Sequence, residues 1–289
     1  MQYLLNGLPI GAIYALIALG YSLIYASAGV LNWAQGDMAM LGAYVAYTLS
    51  RIVGLGFLPS MVAAMACAAL VGALIERGVL RPLRRRGSPA INLIIATLGI
   101  SMILRNLALV VWGPNPELFP SPVGSRTVSI GSLNLLPQNL LIVGVAIFLM
   151  LLLQYFLRFT REGKALRAVA QDRMAASLMG IVAQRSDSVA FAASAGLGAA
   201  AGILIAPLFF VTFDMGAVIG IKGFVAAVVG GLGSIPGAIA GGFVLGITEA
   251  LAGGKISSGY RDAISFGVLI LVLWLRPSGL FSRVNRVKV

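Results

Sequence analysis

The sequence predicts an all-α, polytopic membrane protein, a single domain over residues 1–289 with about eight or nine membrane-spanning helices. Composition is the first reason. The chain is 59% hydrophobic and 10% charged, whereas a soluble domain is about 45–50% apolar and about 25% charged. A soluble exterior cannot be covered with so few polar groups. The second reason is a mean hydropathy of +0.97 carried by recurrent apolar runs of span length. The third is the placing of the basic residues, which fall between those runs.

A helix needs about 20 apolar residues to cross about 30 Å of hydrocarbon. The candidate spans are Leu4–Tyr25, Met38–Ser50, Ser60–Leu80, Pro89–Trp112, Asn139–Leu157, Asp187–Val211, Ala217–Gly233, Pro236–Ala252 and Gly259–Leu275. The first carries no basic leader and no small-residue cleavage pattern, so it reads as a span. The second and seventh are short or interrupted by glycine, as half-helices or re-entrant elements are. The 36 glycines let membrane helices approach closely, which is where packing energy arises among apolar lipid tails.

Charge sets an expected orientation. One basic stretch carries Arg77, Arg81, Arg84, Arg85 and Arg86; a second carries Arg158, Arg161, Lys164, Arg167, Arg173 and Arg185. The tail carries Arg276, Arg283, Arg286 and Lys288. Basic loops stay in the cytoplasm, so all three stretches are expected there. The Pro- and Gly-rich loop at about residues 113–138, with Arg126 and Glu117 as its charges, is expected outside. Nine passes then put the N-terminus outside and the C-terminus in the cytoplasm. The net charge of +12 is therefore topogenic and does not point to nucleic acid.

Several chemistries are excluded. The chain has no histidine and one cysteine, Cys67, so His-based hydrolysis, internal disulfides and cysteine metal clusters are out. No metal or cofactor site is expected. The glycine-rich run Gly223–Ala238 lacks the Gly-Lys-Ser/Thr ending of a phosphate loop, so the chain does not hydrolyse ATP itself. It reads as a tight turn, with Pro236 starting the next helix. Energy must come from a partner or an ion gradient.

Two polar segments stand out. In the first, Asn32, Gln35 and Asp37, with Gly36 between, sit between two apolar runs. Polar groups at membrane depth must be buried in protein or face water. Asp37 reads equally as a cap of the next helix or as part of a polar conduit, and Asn32 and Gln35 as structural or pore-lining. The second segment, about residues 160–186, is too polar to span. From about Ala165 it reads as one or two short amphipathic helices, with Leu166, Val169, Ala170 and Met174 on one face and Gly180 as the terminating glycine. Such an element either lies on the bilayer surface or docks a cytoplasmic partner. Taken alone, it suits the bilayer slightly better.

Isolated charges in or near spans are expected to snorkel, as for Arg105 and Lys222, or to pair locally, as for Glu249 with Lys255 or Arg261. No acidic relay runs through the spans, which weighs against a proton-driven carrier. Gly29–Leu49 and Val229–Leu251 share a polar, glycine-containing turn followed by a small-residue helix, a candidate internal repeat.

Four ordered motifs resemble the branched-chain amino-acid ABC transporter permeases of the LivH type. They are Asn32–Tyr44, Gly163–Ile181, Gly230–Ala238 and Leu275–Phe281. The resemblance implies the ABC importer permease fold in a bacterial inner membrane. It implies assembly with a second homologous permease, two cytoplasmic ATPase subunits and a periplasmic substrate-binding protein. The coupling element would be the second polar segment, with Gly163, Lys164, Arg167, Asp172, Ala175, Ala176 and Gly180 as its matching positions. Met174 stands where the general importer motif has Glu, so the carboxylate contact is absent or moved to a residue such as Asp172. Asn32, Gln35, Gly36 and Asp37 are the translocation-path candidates, because the family leaves much of substrate recognition to the binding protein. Urea or short-amide permeases of the same family, and a stand-alone secondary transporter, are the alternatives.

Overall fold

The computed structural model describes residues 2–124, 128–130, 133–255 and 258–281. Arg126 in the loop after α5 and Arg283, Arg286 and Lys288 in the tail lie outside the described residues. Every candidate span is a helix: α1 (Gln2–Ala28), α2 (Gln35–Arg51), α3 (Phe57–Ile75), α5 (Ala90–Trp112), α6 (Pro137–Phe159), α9 (Ala183–Ile205), α10 (Met215–Gly230), α11 (Ile235–Lys255) and α12 (Arg261–Leu275). Among the described residues six apolar stretches are long enough to cross a membrane, and α10 is a shorter apolar helix. The π turn Glu76–Leu80 and the short α4 (Arg81–Arg85) continue α3. The polar segment forms α7 (Arg161–Gln171) and α8 (Arg173–Leu178). The all-α expectation needs one addition: strands β1 (Val128–Ile130) and β2 (Leu133–Leu135) pair as a small hairpin in the loop after α5.

The helix starts follow from local chemistry. Pro89, extended at φ −61°, precedes α5, and Pro137 occupies the first turn of α6, where its missing N–H is no loss. Pro236 lies in the first turn of α11. Gly29, Gly231 and Gly233 adopt positive φ in the turns that precede α2 and α11.

The core is built on α1, α9 and α11. Gly242, Gly246 and Gly7 let α1 and α11 run antiparallel with backbones touching, since a Cβ at Gly242 or Gly246 would meet the backbone of Ala15 or Gly11. Gly202 of α9 rests on Ala39 of α2 in the same way. Around this core, α3, α5, α6 and α12 expose rows of large apolar side chains, including Leu70, Leu107, Val110, Leu151 and Ile270. With lipid as solvent, those rows are an ordinary exterior.

The basic stretches gather at one end. The end of α1 (Ser27) meets Arg173 and Asp187, the start of α9 meets α4 through Arg84, and Leu280 and Phe281 hydrogen-bond to Val229 and Gly230 at the end of α10.

Candidate functional site

The first polar segment is a break between helices at depth. Gln35 Nε2 donates to the Ser194 carbonyl at 2.9 Å, and Ser194 Oγ donates to Gln35 Oε1 at 2.7 Å. The same side chain rests on Gly20. Gly20 lies eight residues before the end of α1, about 12 Å at 1.5 Å per residue. So α2 begins well inside the bundle, and residues 29–34 enter as non-helical backbone. Irregular backbone survives at depth when protein satisfies it. Here the Trp33 N–H donates to Thr97 Oγ1 at 3.2 Å, and the Ala34 N–H donates to Asn32 Oδ1 at 3.2 Å. Asn32 is thus a turn-forming residue that is itself buried.

Gly36 is the contact between the two weak spans. A Cβ there would strike the Gly216 carbonyl and the Gly220 Cα, so the interrupted helices α2 and α10 cross with backbones touching. Phe224 of α10 closes the break, with ring centroids 5.3 Å from Trp33 and 5.7 Å from Tyr21. Asp37 does not cap α2, whose first turn has no side-chain cap. Its Oδ1 instead accepts from Arg105 Nε of α5 at 2.8 Å. Arg105 therefore does not snorkel, because a buried carboxylate is the stronger partner. In this conformation Asn32, Gln35 and Asp37 are all buried and each has a hydrogen-bond partner, while Asp37 Oδ2 has none among the described residues.

The other isolated charges also pair across the bundle. Lys222 of α10 binds Glu249 of α11, and its Nζ lies 2.7 Å from Asp262 Oδ1. Tyr14 and Ser265 donate to Glu249 at 2.7 and 2.8 Å. Buried Glu249 pairs with half-buried Lys222 here, in place of Arg261, because α10 passes beside α11. The Lys255 side chain lies outside the described residues.

At the basic end the second polar segment is a helix–turn–helix. Thr160 caps α7, accepting from the Gly163 N–H at 3.0 Å. Gly163 packs on the Phe156 carbonyl at the end of α6, where a Cβ would not fit. Asp172 caps α8, its Oδ1 accepting from the Met174 and Ala175 N–H groups at 2.8 and 2.9 Å. Gly180 ends α8 at φ +83°, as the sequence suggests. Leu166, Val169 and Ala176 are buried, whereas Lys164, Arg167, Ala170 and Ala175 are exposed. Ala170, still on α7, lies beside the buried Gly163–Leu166–Val169 stripe and is exposed, and Met174 lies past Asp172, where the helix axis changes and spacing counted through it loses meaning. Met174, Leu178 and Met179 are 76%, 80% and 83% exposed.

An ion-pair hub that the sequence reading missed ties this segment to the bundle. Asp187, fully buried on α9, receives Arg173 of α8 at 2.6 Å, Arg84 of α4 at 2.6 Å and Ser27 of α1 at 2.8 Å. Glu76, fully buried in the π turn, receives Arg84 at 2.6 Å, Arg81 at 3.1 Å and Ser188 at 2.5 Å. The one available signal was two carboxylates, Glu76 and Asp187, at the edges of apolar runs beside basic clusters.

Comparison with known proteins places this architecture. A family model described as the permease component of the branched-chain amino acid transport system matches residues 3–273. The chain belongs to that family. The permease is 36% identical to the Escherichia coli K12 protein named high-affinity branched-chain amino acid transport system permease protein LivH, covering 100% of this chain and 97% of LivH. It is 35% identical to the corresponding BraD of Pseudomonas aeruginosa, covering 100% of this chain and 98% of BraD. It is also 28% identical to Escherichia coli LivM, over 93% of this chain and 67% of LivM. Its fold resembles a solved structure, PsaBC from Streptococcus pneumoniae in complex with Fab, with a TM-score of 0.52 at 14% identity, over 96% of this chain and 93% of that one. The permease family makes this a membrane transport subunit and not itself an enzyme.

Proposed function

We propose that the chain is the pore-forming subunit of an ATP-driven importer for branched-chain amino acids. The observation that carries the reading is α8: a short helix at the basic end, anchored by Arg173, that presents Met174, Leu178 and Met179 to its surroundings. An exposed apolar cluster rimmed by charge is what a docking surface offers. The names of the full-length relatives supply the substrate class. The similarity to LivM supports a second homologous permease as partner. Two ATPase subunits beneath α8 and a periplasmic binding protein above complete the assembly. ATP binding would draw α8, and the Asp187 hub would pass that motion to α1, α4 and α9.

Nine passes fit the helix order in a bacterial inner membrane, with α2 and α10 as interrupted spans, the N-terminus outside and the C-terminus in the cytoplasm. The translocation path would pass the crossing of α2 and α10, where Asn32, Gln35, Gly36 and Asp37 lie. Gly163, Lys164, Arg167, Asp172, Ala175, Ala176 and Gly180 would form or shape the coupling surface. Asp172 would act there through its cap of α8, since that is where one of its carboxylate oxygens is engaged.

The test is uptake of labelled leucine, isoleucine and valine by cells expressing the whole system. Uptake should follow cellular ATP and disappear in Gly180→Arg at normal membrane levels. Uptake that persists without ATP and collapses with the proton gradient would contradict the reading.

A further inference from the structure

The geometry points to a phosphate-binding site at the basic end, in the cavity of about 290 Å³ between the end of α1, α4, α8 and α9. Its lining is Ala28, Arg81, Arg84, Arg85, Arg173 and Gln184. Four arginines therefore line one cleft. The carboxylates that meet them are Glu76 and Asp187, both fully buried and already engaged by Arg81, Arg84 and Arg173. Two positive charges remain in excess. Arg85 has no ion pair or hydrogen bond among the described residues, and it is exposed. Like charges held this close repel unless an anion joins them. A phosphate group can accept charge-assisted hydrogen bonds from several planar guanidiniums at once. The volume approaches the lower end of ligand clefts, about 300 Å³.

A free phosphate ion and an anionic lipid headgroup share this chemistry. Position favours the lipid. Arg81–Arg85 end the apolar stretch Phe57–Arg85, so the guanidiniums sit where headgroups sit. The neighbouring start of α5 exposes Ile91 and Ile95, an apolar track beside which acyl chains can lie. Basic pockets between membrane helices on the cytoplasmic side take such headgroups. Which leaflet supplies the lipid rests on the orientation proposed above; the cavity and its charge do not. A lipid bound here would brace α4, α8 and α9 together, so leaflet composition would bear on the same helix that docks the partner.

The experiment uses the full-length protein, with any subunits that co-purify, in neutral phosphatidylcholine nanodiscs. Thermal unfolding is followed on adding short-chain phosphatidylglycerol, short-chain phosphatidylcholine or inorganic phosphate. Phosphatidylglycerol should raise the Tm and phosphatidylcholine should not. Arg85→Gln, which removes no internal partner, should weaken the phosphatidylglycerol response about tenfold in concentration. Arg86→Gln, outside the cavity lining, should leave it intact. A response to phosphatidylglycerol alone identifies the headgroup as the source; an equal response to inorganic phosphate identifies the free ion. Three results overturn the site: no anion response, equal responses in wild type and Arg85→Gln, or equal losses in both variants. If Arg85→Gln keeps the lipid response but loses co-purifying subunits, the cavity serves a protein partner and the proposal fails.

Discussion

Arg173, the first residue of α8, grips Asp187 of α9 with both guanidinium ends, Nη2 at 2.6 Å from Oδ2 and Nη1 at 3.2 Å from Oδ1. The thirteen residues between them contain the rest of α8 and its Gly180 turn. The pair therefore closes a small loop and fixes the direction in which α8 points. Arg84 shares Oδ2 from the other side, so moving α8 disturbs α4 as well.

Asp187→Asn should destabilise the protein and free α8. Removing one member of a buried pair costs about 3–5 kcal/mol, and the lower end applies because Arg173 is 43% exposed. The checks are a lowered Tm and faster proteolytic cutting between residues 171 and 182. Glu162→Gln, which breaks the exposed pair with Arg185, should change stability by at most about 0.5 kcal/mol. Equal effects from the two variants would refute the hub.

Gly36→Val should abolish transport. The Cβ has no room against Gly216 and Gly220, and overpacking of this kind costs about 1–3 kcal/mol. Gly78→Val is the control, since its Cβ would meet open space. Uptake assays on membranes with matched protein levels separate the two. Full uptake by Gly36→Val would mean that α2 and α10 part freely, against the close crossing described.

Lys222→Met should cost about 3–5 kcal/mol, because it strands Glu249 in a buried site where, among the described residues, Tyr14 and Ser265 remain as donors. Adding Glu249→Leu should restore most of that loss, since an apolar pair carries no desolvation penalty. A Tm for the double variant lower than for Lys222→Met would show that Glu249 is stabilised by other means.

Much of the fold was legible because the spans are written in hydropathy. Pro89–Trp112 became Ala90–Trp112, and even the weak segments Met38–Ser50 and Ala217–Gly233 became α2 and α10, shifted by a few residues. Glycine interruption marked the two helices that cross at Gly36, because only small residues allow that approach. What stayed hidden was pairing. Arg105 and Asp37 are 68 residues apart, and Arg84 and Asp187 are 103 apart. A charge at a span edge states that it needs a partner or water, and nothing in its neighbours states which. Met174 shows another limit: a helical period read through Asp172 assumed one axis where the cap begins a second helix. The suggested repeat of Gly29–Leu49 with Val229–Leu251 rests on two turns that each carry a positive-φ glycine before a helix.

The central claim is that α8 is worked by a nucleotide-hydrolysing subunit bound to its exposed apolar face. The most direct measurement places a photo-crosslinking side chain at Leu178 in cells that express the intact system, with Leu107 on the outward face of α5 as the comparison. The account predicts that Leu178 yields an adduct with an ATPase subunit and that Leu107 does not. Adducts from Leu178 with lipid alone would contradict it.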